Sequence, residues 1–194
     1  HAAREEMQAA GFEAFKPVKF ETGWMDEERD TFVPITSSAS VPIHGQVPFM
    51  FDPFQTWTLD GYTYEPWTRH ENGAQYIAGV NGITRNVRRD AEVMADRVFG
   101  TEIEFESEDV AILRKRDLFL RVMSPEGFAQ VYPGLDHSVE RILPHTFGLT
   151  FAVESLDRLT ALFDDRDVTW VRTRDGVSVP RLLAHNTLLE FIEA

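Results

Sequence analysis

One carboxylate near the C-terminus stands within an alternating apolar pattern. If this segment is a strand, Leu188, Glu190 and Ile192 share one face, because successive side chains point to opposite sides. A carboxylate between two aliphatic neighbours is buried only if it is paired with a cation or bound to a metal. Glu190 is therefore a candidate catalytic carboxylate or metal ligand. The alternative is an ion pair with an arginine such as Arg121 or Arg181.

A second group of candidates lies in the stretch His-x-Asn-Gly-Ala, which starts at residue 70. His70 and Asn72 are candidate ligand-binding residues, because an imidazole and an amide could hydrogen-bond to a small molecule. The alternative is that His70 fixes a turn by hydrogen bonding, with Gly73 supplying the backbone freedom. The residue types leave both interpretations open.

Two further candidates are Asn81 and Tyr132. Asn81 interrupts an apolar strand and could contact a ligand, although Gly79 and Gly82 on either side favour a β-bulge. Tyr132 lies in a segment, residues 124–146, that is predicted to be a long loop. Loops of that length are often functional or mobile, so Tyr132 could close over a ligand.

An aromatic cluster precedes these candidates. It could form a lid over an apolar ligand, but such clusters more often form the core of an ordered linker. Its members are Trp57, Tyr62, Tyr64 and Trp67.

Composition limits the classes of function. The chain has 194 residues with a net charge of −13, which opposes binding to the phosphate backbone of nucleic acids. No apolar run is long enough to cross a bilayer, so no membrane span is expected. There are no cysteines, which excludes disulfides, thiolate metal sites and cysteine nucleophiles. The lack of cysteine fits a reducing compartment, and a cytoplasmic location is expected.

The elements that would position the candidate residues follow a repeated plan. Helical periodicity ends at Gly11 and at Gly100, and Ser155 is a suitable N-cap for a third helix. From residue 75 onward the pattern predicts βαβββ twice, with residues His185 and Asn186 forming a turn. The predicted strands are 75–84, 102–106, 110–113, 118–123, 148–154, 168–171, 179–183 and 187–193. Before them, strands are predicted over 14–21 and 31–35, followed by a turn over 37–40 and a further apolar segment, 47–51.

This order of motifs resembles the vicinal oxygen chelate superfamily, which includes glyoxalases, bleomycin resistance proteins and extradiol dioxygenases. The resemblance is closest to the glyoxalase-like domain group of paired-domain bacterial proteins. The motifs that carry it are HENGAQYIAGV (70–80), DAEVMADRVFG (90–100), GLTFAVESLDRLTALF (148–163) and TLLEFIE (187–193).

The resemblance implies an α+β fold in which paired βαβββ modules form cup-shaped mixed sheets. Residues 70–194 would form one complete domain. Residues 1–69 would form the second half of another, together with a linker. The chain begins with His1 and opens on a helix without a preceding strand. We therefore expect a fragment that lacks an N-terminal module.

The resemblance also implies a divalent metal, either Zn, Fe, Mn or Ni, bound by inward-facing His, Gln and Glu side chains. Glu190 falls at the family's glutamate position, and His145 is the nearest histidine to the position expected in the second module. No histidine occurs at the corresponding position of the first module, near residues 78–80. His185 is better explained as a turn residue. The usual ligand set is therefore incomplete.

Three functions follow as expectations. The first is a metal-dependent lyase, isomerase or dioxygenase acting on a small oxygenated organic molecule. The second is a metal-free member of the family that binds or sequesters a small hydrophobic molecule. The third is a structural cup that supports a neighbouring domain or a homodimer. A small-molecule ligand is the expected partner in the first two.

Overall fold

The computed structural model describes residues 2–27, 30–40, 42, 45–49, 54–56, 68–136 and 143–194. The chain divides into two compact units, residues 1–68 and 69–194. The aromatic cluster of residues 57–67 lies outside the described residues. Within the described ranges, no helix has the length and apolar character needed to cross a bilayer.

The first unit contains one helix and a three-stranded antiparallel sheet. Helix α1 (Ala2–Ala9) is followed by Gly11 in the left-handed conformation, as predicted. Strand β1 (Val18–Asp26) pairs along its whole length with β2 (Thr31–Ala39), and β3 (Phe54–Thr56) pairs with the end of β2.

Two expectations for this unit were wrong. The first strand starts at Val18 rather than at residue 14. The serines predicted to form a turn continue β2, because buried Ser37 is hydrogen-bonded to Thr56 on the next strand (Oγ–Oγ1 distance 3.2 Å). In the predicted apolar segment 47–51, residues 47–49 form bends.

The second unit contains both βαβββ modules. The first consists of β4 (Ala74–Ile83), α2 (Val87–Met94), β5 (Ile103–Phe105), β6 (Val110–Lys115) and β7 (Leu118–Met123). A short helix, α3 (Pro125–Val131), follows it. The second module consists of β8 (His145–Val153), α4 (Leu156–Asp165), β9 (Val171–Arg172), β10 (Val177–Val179) and β11 (Leu188–Glu193).

The two modules build one eight-stranded sheet in the order β5-β6-β7-β4-β8-β11-β10-β9. The last strand of each module pairs in parallel with the first strand of the same module, β7 with β4 and β11 with β8. The two first strands pair antiparallel at the centre of the sheet. The α+β fold with paired βαβββ modules, which the resemblance implies, is confirmed.

Local sequence signals account for most helix boundaries. Asn86 caps α2 by accepting a hydrogen bond from the Arg89 backbone N–H, and a π-helical turn (Ala95–Phe99) extends that helix to Gly100. Ser155 caps α4 through the Arg158 N–H, as predicted.

Two expectations for this unit need correction. The predicted loop after residue 123 contains α3, which Ser124 caps and in which Pro125 takes the first position. Proline is favoured there because the first N–H of a helix has no partner. The strand predicted over 179–183 is replaced by β10 and a 3₁₀ turn (Arg181–Leu183), because Pro180 cannot donate to a strand ladder.

The two helices that pack near β11 lie on opposite faces of the sheet. Helix α3 contributes Phe128 and Val131 to a core that contains Leu188 of β11. Helix α4 contributes Leu159 and Phe163 to a different core that contains Phe191. Since side chains alternate along a strand, we call the sheet surface with Leu188, Glu190 and Ile192 the α3 face and the opposite one the α4 face.

Candidate functional site

Glu190 lies on the α3 face and has no solvent-exposed surface. Its Oε2 atom accepts hydrogen bonds from Arg121 Nη1 (3.1 Å), the Tyr132 hydroxyl (3.1 Å) and the Thr150 hydroxyl (2.7 Å). β7, the segment after α3, and β8 supply these three donors. The carboxylate is therefore contacted by one full positive charge and two hydroxyl donors.

Arg121 connects Glu190 to a second carboxylate. Its side chain is 4% exposed. Its Nη1 donates to Glu190 and to the Tyr132 hydroxyl (2.9 Å), and its Nη2 donates to Asp175 Oδ2 (2.7 Å). Two carboxylates from the second module thus enclose one guanidinium group from the first. We call Asn81, Arg121, Tyr132, Thr150, Asp175 and Glu190 the buried polar cluster.

The cluster continues to the surface through alternating charges. Arg174 donates to both oxygens of Asp175 at 3.0 Å, and it contacts the Glu106 carboxylate at 2.7 and 3.2 Å. Glu106 directly follows β5 in the first module, whereas Arg174 and Asp175 lie between β9 and β10. This chain of ion pairs therefore joins the two modules from the solvent edge to Glu190.

Asn81 joins the cluster through Thr150. Its Nδ2 donates to the Thr150 hydroxyl at 2.9 Å, so the hydroxyl hydrogen of Thr150 is directed to Glu190. Strand register shifts occur on both sides of Asn81 in the pairing of β4 with β8. Asn81 thus lies in an irregular part of β4, as the glycines on either side of it favoured. Its side-chain amide donates to another side chain of the protein, that of Thr150.

Burial and neighbouring charges in the cluster keep the protonation states of Tyr132 and Arg121 constant at physiological pH. Burial raises the pKa of the Tyr132 hydroxyl well above its ordinary value, and the nearby Glu190 carboxylate adds to this effect. Burial alone would lower the pKa of Arg121, but attraction to Tyr132 in the anionic form that it takes at strongly alkaline pH, to Glu190 and to Asp175 outweighs burial and raises it. Tyr132 stays neutral and Arg121 stays charged over the physiological range of pH.

Asp175 is the titratable member of the cluster nearest to solvent. Burial acts to raise its pKa, but the hydrogen bond from Arg174 and the charge of Arg121 outweigh burial and lower the pKa. The side chain is about one third exposed. Asp175 therefore stays ionised down to more acidic pH than an ordinary aspartate.

The cluster does not suit a divalent metal. Glu190 already shares its charge with a guanidinium group, which would repel a second cation at the same carboxylate. Among the described residues, no group of three His, Asp or Glu side chains converges as metal ligands. The alternative that paired Glu190 with Arg121 describes the observed contact.

His145 does not meet Glu190. In the parallel register of β8 and β11, Glu190 lies beside Thr150, whereas His145 is the first residue of β8. At about 3.3 Å per residue, the two positions are roughly 16 Å apart along the strand. One metal ion cannot bridge that distance. His185 adopts a left-handed conformation together with Asn186, as expected of turn residues.

His70 and Asn72 line a pocket of about 380 Å³ that is separate from the buried polar cluster. The floor of the pocket is apolar and includes Ile77, Phe151 and Leu189. Asn72 Oδ1 accepts a hydrogen bond from the Ala74 backbone N–H at 3.1 Å, so the amide NH₂ group remains as its donor. The predicted ligand-binding residues thus divide between two places: His70 and Asn72 line the pocket, whereas Asn81 and Tyr132 belong to the cluster.

Two cluster residues were not singled out from the sequence. Thr150 is fully buried. Its position as a polar residue within an apolar strand is the same sequence signal that pointed to Glu190. Asp175 lies in an Arg-Asp-Gly turn, where a solvent-exposed residue is the ordinary expectation. Arg121 was named as a partner of Glu190, and its position within the apolar strand Leu118–Met123 was the available signal.

Comparison with known proteins bears on the fold. No protein-family model and no curated protein matches the sequence. The chain is similar to the crystal structure of a hypothetical protein from Staphylococcus aureus, with 9% identity and a TM-score of 0.60, over 100% of this chain and 62% of that one. A mutant of 4-hydroxymandelate synthase from Streptomyces coelicolor is also similar, with 15% identity and a TM-score of 0.40, over 89% of this chain and 51% of that one. The chain therefore spans less than two thirds of either protein, and the likeness to the staphylococcal protein concerns the fold alone.

Proposed function

We propose that residues 69–194 form a metal-free, small-molecule-binding member of the glyoxalase-like fold. The observation that carries this proposal is the ion pair of Glu190 with Arg121. At the position where the family resemblance implies a metal-binding glutamate, this chain has a carboxylate neutralised by its own arginine. The cation that balances Glu190 is part of the polypeptide.

A metal-dependent lyase, isomerase or dioxygenase is the competing function. Its support is the position of Glu190 on the last strand, which agrees with the implied ligand site. The donors around Glu190 weigh against it, because Arg121, Tyr132 and Thr150 use the carboxylate oxygen that faces them. We derive no reaction step through a metal for this chain.

A structural role is the third candidate, and one observation supports it. Arg121 and Glu190 come from different modules, so their pairing stabilises the assembly of the sheet. This role is compatible with ligand binding elsewhere on the same unit.

Metal titration tests the proposal. The protein, freed of metal by chelation and dialysis, is titrated calorimetrically with Zn²⁺, Mn²⁺, Ni²⁺ and, without oxygen, Fe²⁺. We expect that the wild-type protein does not bind one equivalent of metal at a site that is lost in Glu190→Gln. The control is Glu193→Gln, an exposed glutamate on the same strand. One equivalent of tightly bound metal that is lost in Glu190→Gln and retained in Glu193→Gln would contradict the proposal, provided that both variants keep the wild-type circular dichroism spectrum.

A second measurement looks for the ligand directly. The purified protein is denatured in organic solvent, and the released small molecules are identified by mass spectrometry. We expect a stoichiometric organic compound that is absent from an unrelated protein prepared in the same way.

A further inference from the structure

The pocket at His70 and Asn72 lies on the α4 face of the sheet, opposite Glu190. Leu189 and Phe191 line it, and they alternate along β11 with Glu190. Phe151 also lines it, and its neighbour Thr150 directs its hydroxyl to Glu190. Because neighbouring residues of a strand point to opposite sides, the pocket and the buried polar cluster are separated by the thickness of the sheet.

The floor of this pocket suits an aromatic ring. Phe151 and Phe191 lie on adjacent strands with their rings stacked, the centroids 5.6 Å apart and the planes inclined by 24°. Ile77, which pairs with Phe151 on the next strand, leaves 48% of its surface exposed. Apolar surface left open within the central strands of a sheet is available for burial by a ligand.

The rim of the pocket is polar, and among the residues that the structure describes it carries no carboxylate. His70, Asn72 and Gln75 lie there, and the Asn72 amide NH₂ can donate a hydrogen bond. The whole chain carries a net charge of −13, so a lining free of Asp and Glu is a local departure from its surroundings. A negatively charged ligand would be repelled by the chain, and a cationic one would find no counter-charge in the lining.

The dimensions favour a small molecule over a protein partner. Nine of the described residues line the pocket, whereas a stable protein interface uses about 20–30 residues on each side. The volume of about 380 Å³ falls within the range of about 300–1,000 Å³ that is usual for small-molecule pockets.

We propose that this pocket on the α4 face is the ligand site, and that its ligand is a neutral, largely apolar aromatic molecule with one hydrogen-bond acceptor directed to the polar rim. This inference rests on the proposed small-molecule-binding function. It places the ligand on the opposite side of the sheet from the cup surface to which the family resemblance assigns metal and substrate.

Two fluorescent probes that differ in charge test the inference on the full chain. N-phenyl-1-naphthylamine is neutral, and 8-anilinonaphthalene-1-sulfonate is its sulfonated analogue. We expect the neutral probe to bind saturably near one equivalent with a blue-shifted emission, and the sulfonate to bind at least about ten-fold more weakly.

The site is located with a matched pair of variants. Ile77→Asp introduces a charge into the pocket, and we expect it to weaken binding of the neutral probe at least about ten-fold, since burying an unpaired carboxylate is unfavourable. Leu182→Asp places the same charge at a residue that is 74% exposed and does not line the pocket, and it should leave the affinity unchanged. Both parent side chains are exposed enough for folding to tolerate the change.

The outcomes separate this inference from the proposed function. Saturable binding of the neutral probe that Ile77→Asp does not weaken would overturn the pocket as the site and leave a small-molecule-binding protein. No saturable binding of the probe would overturn the pocket as an aromatic ligand site. Sedimentation velocity that shows a dimer in the wild type and a monomer in Ile77→Asp would overturn it in favour of a second copy of the chain. A Glu190-dependent metal site would overturn the proposed function independently.

Discussion

Glu190 and Phe191 are neighbours on one strand, yet their side chains lie on opposite faces of the sheet, and the two faces differ in polarity. On the α3 face, polar side chains are buried and neutralise one another through ion pairs and directed hydroxyl groups. On the α4 face, apolar side chains at the centre of the sheet remain partly open beside a polar rim. The polar residues of the cluster thus contact one another across the two modules, whereas the apolar residues of the pocket leave part of their surface open.

The largest expected effect comes from breaking the central ion pair. Glu190→Ala leaves the buried Arg121 without its main counter-charge, and removal of one partner of a buried pair costs about 3–5 kcal/mol. We expect a loss of this size in the free energy of unfolding, measured by urea denaturation at neutral pH. Glu193→Ala, on the exposed end of the same strand, should change it by less than about 0.5 kcal/mol.

A double variant sharpens this test. Replacing both partners, Arg121→Met with Glu190→Leu, removes the uncompensated charge and should recover much of the stability that Glu190→Ala loses. A loss below about 1 kcal/mol in Glu190→Ala alone would show that the pair does not hold the modules together.

An intermediate effect is expected from a comparison of two tyrosines, one buried and one exposed. Tyr132→Phe removes the hydroxyl group that bridges Arg121 and Glu190, which should cost about 1–3 kcal/mol because both partners are buried. Tyr76→Phe removes an exposed hydroxyl group and should fall within about 0.5 kcal/mol of the wild type. Equal values for the two variants in urea denaturation would contradict a stabilising role of the buried Tyr132 hydroxyl group.

The smallest expected effect is on the stability of the protein at acidic pH. The pKa of Asp175 is lower in the folded protein, so its contribution to stability is present above the ordinary aspartate pKa and is lost as pH falls through the folded value. Asp175→Asn should therefore flatten the decline in the urea midpoint below about pH 4. The control is Asp117→Asn in the exposed turn between β6 and β7. A decline as steep in Asp175→Asn as in Asp117→Asn would show that Asp175 does not couple folding to pH.

The sequence predicted the elements of the second unit better than those of the first. Gly100 marked the end of the helical segment that begins with α2, Ser155 marked the start of α4, and alternation identified β11. Helix α3 was missed because its seven residues are too few for a clear periodicity, although Ser124 and Pro125 carried a start signal. In the first unit, the serines of β2 resembled a turn because their cross-strand partner, Thr56, is distant in sequence.

The candidate site was also predicted only in part, because partners that are distant in sequence do not follow from local patterns. Burial of Glu190 follows from local alternation, and so does its need for a partner. The choice among the partners does not, because Arg121, Tyr132 and Thr150 are 40 to 69 residues away in the chain. The pocket was still less accessible to sequence analysis, since it arises where three strands place Ile77, Phe151 and Leu189 side by side.

The pairing around Val153 has a consequence for the connectivity of the sheet. Ala74, at the start of β4, and Glu193, at the end of β11, both pair with Val153 from opposite sides. They are therefore about two strand spacings apart, or roughly 10 Å. We therefore expect that a circularly permuted form of residues 74–193, joined between these two residues by a short linker and opened between the modules, retains every strand pair of the eight-stranded sheet.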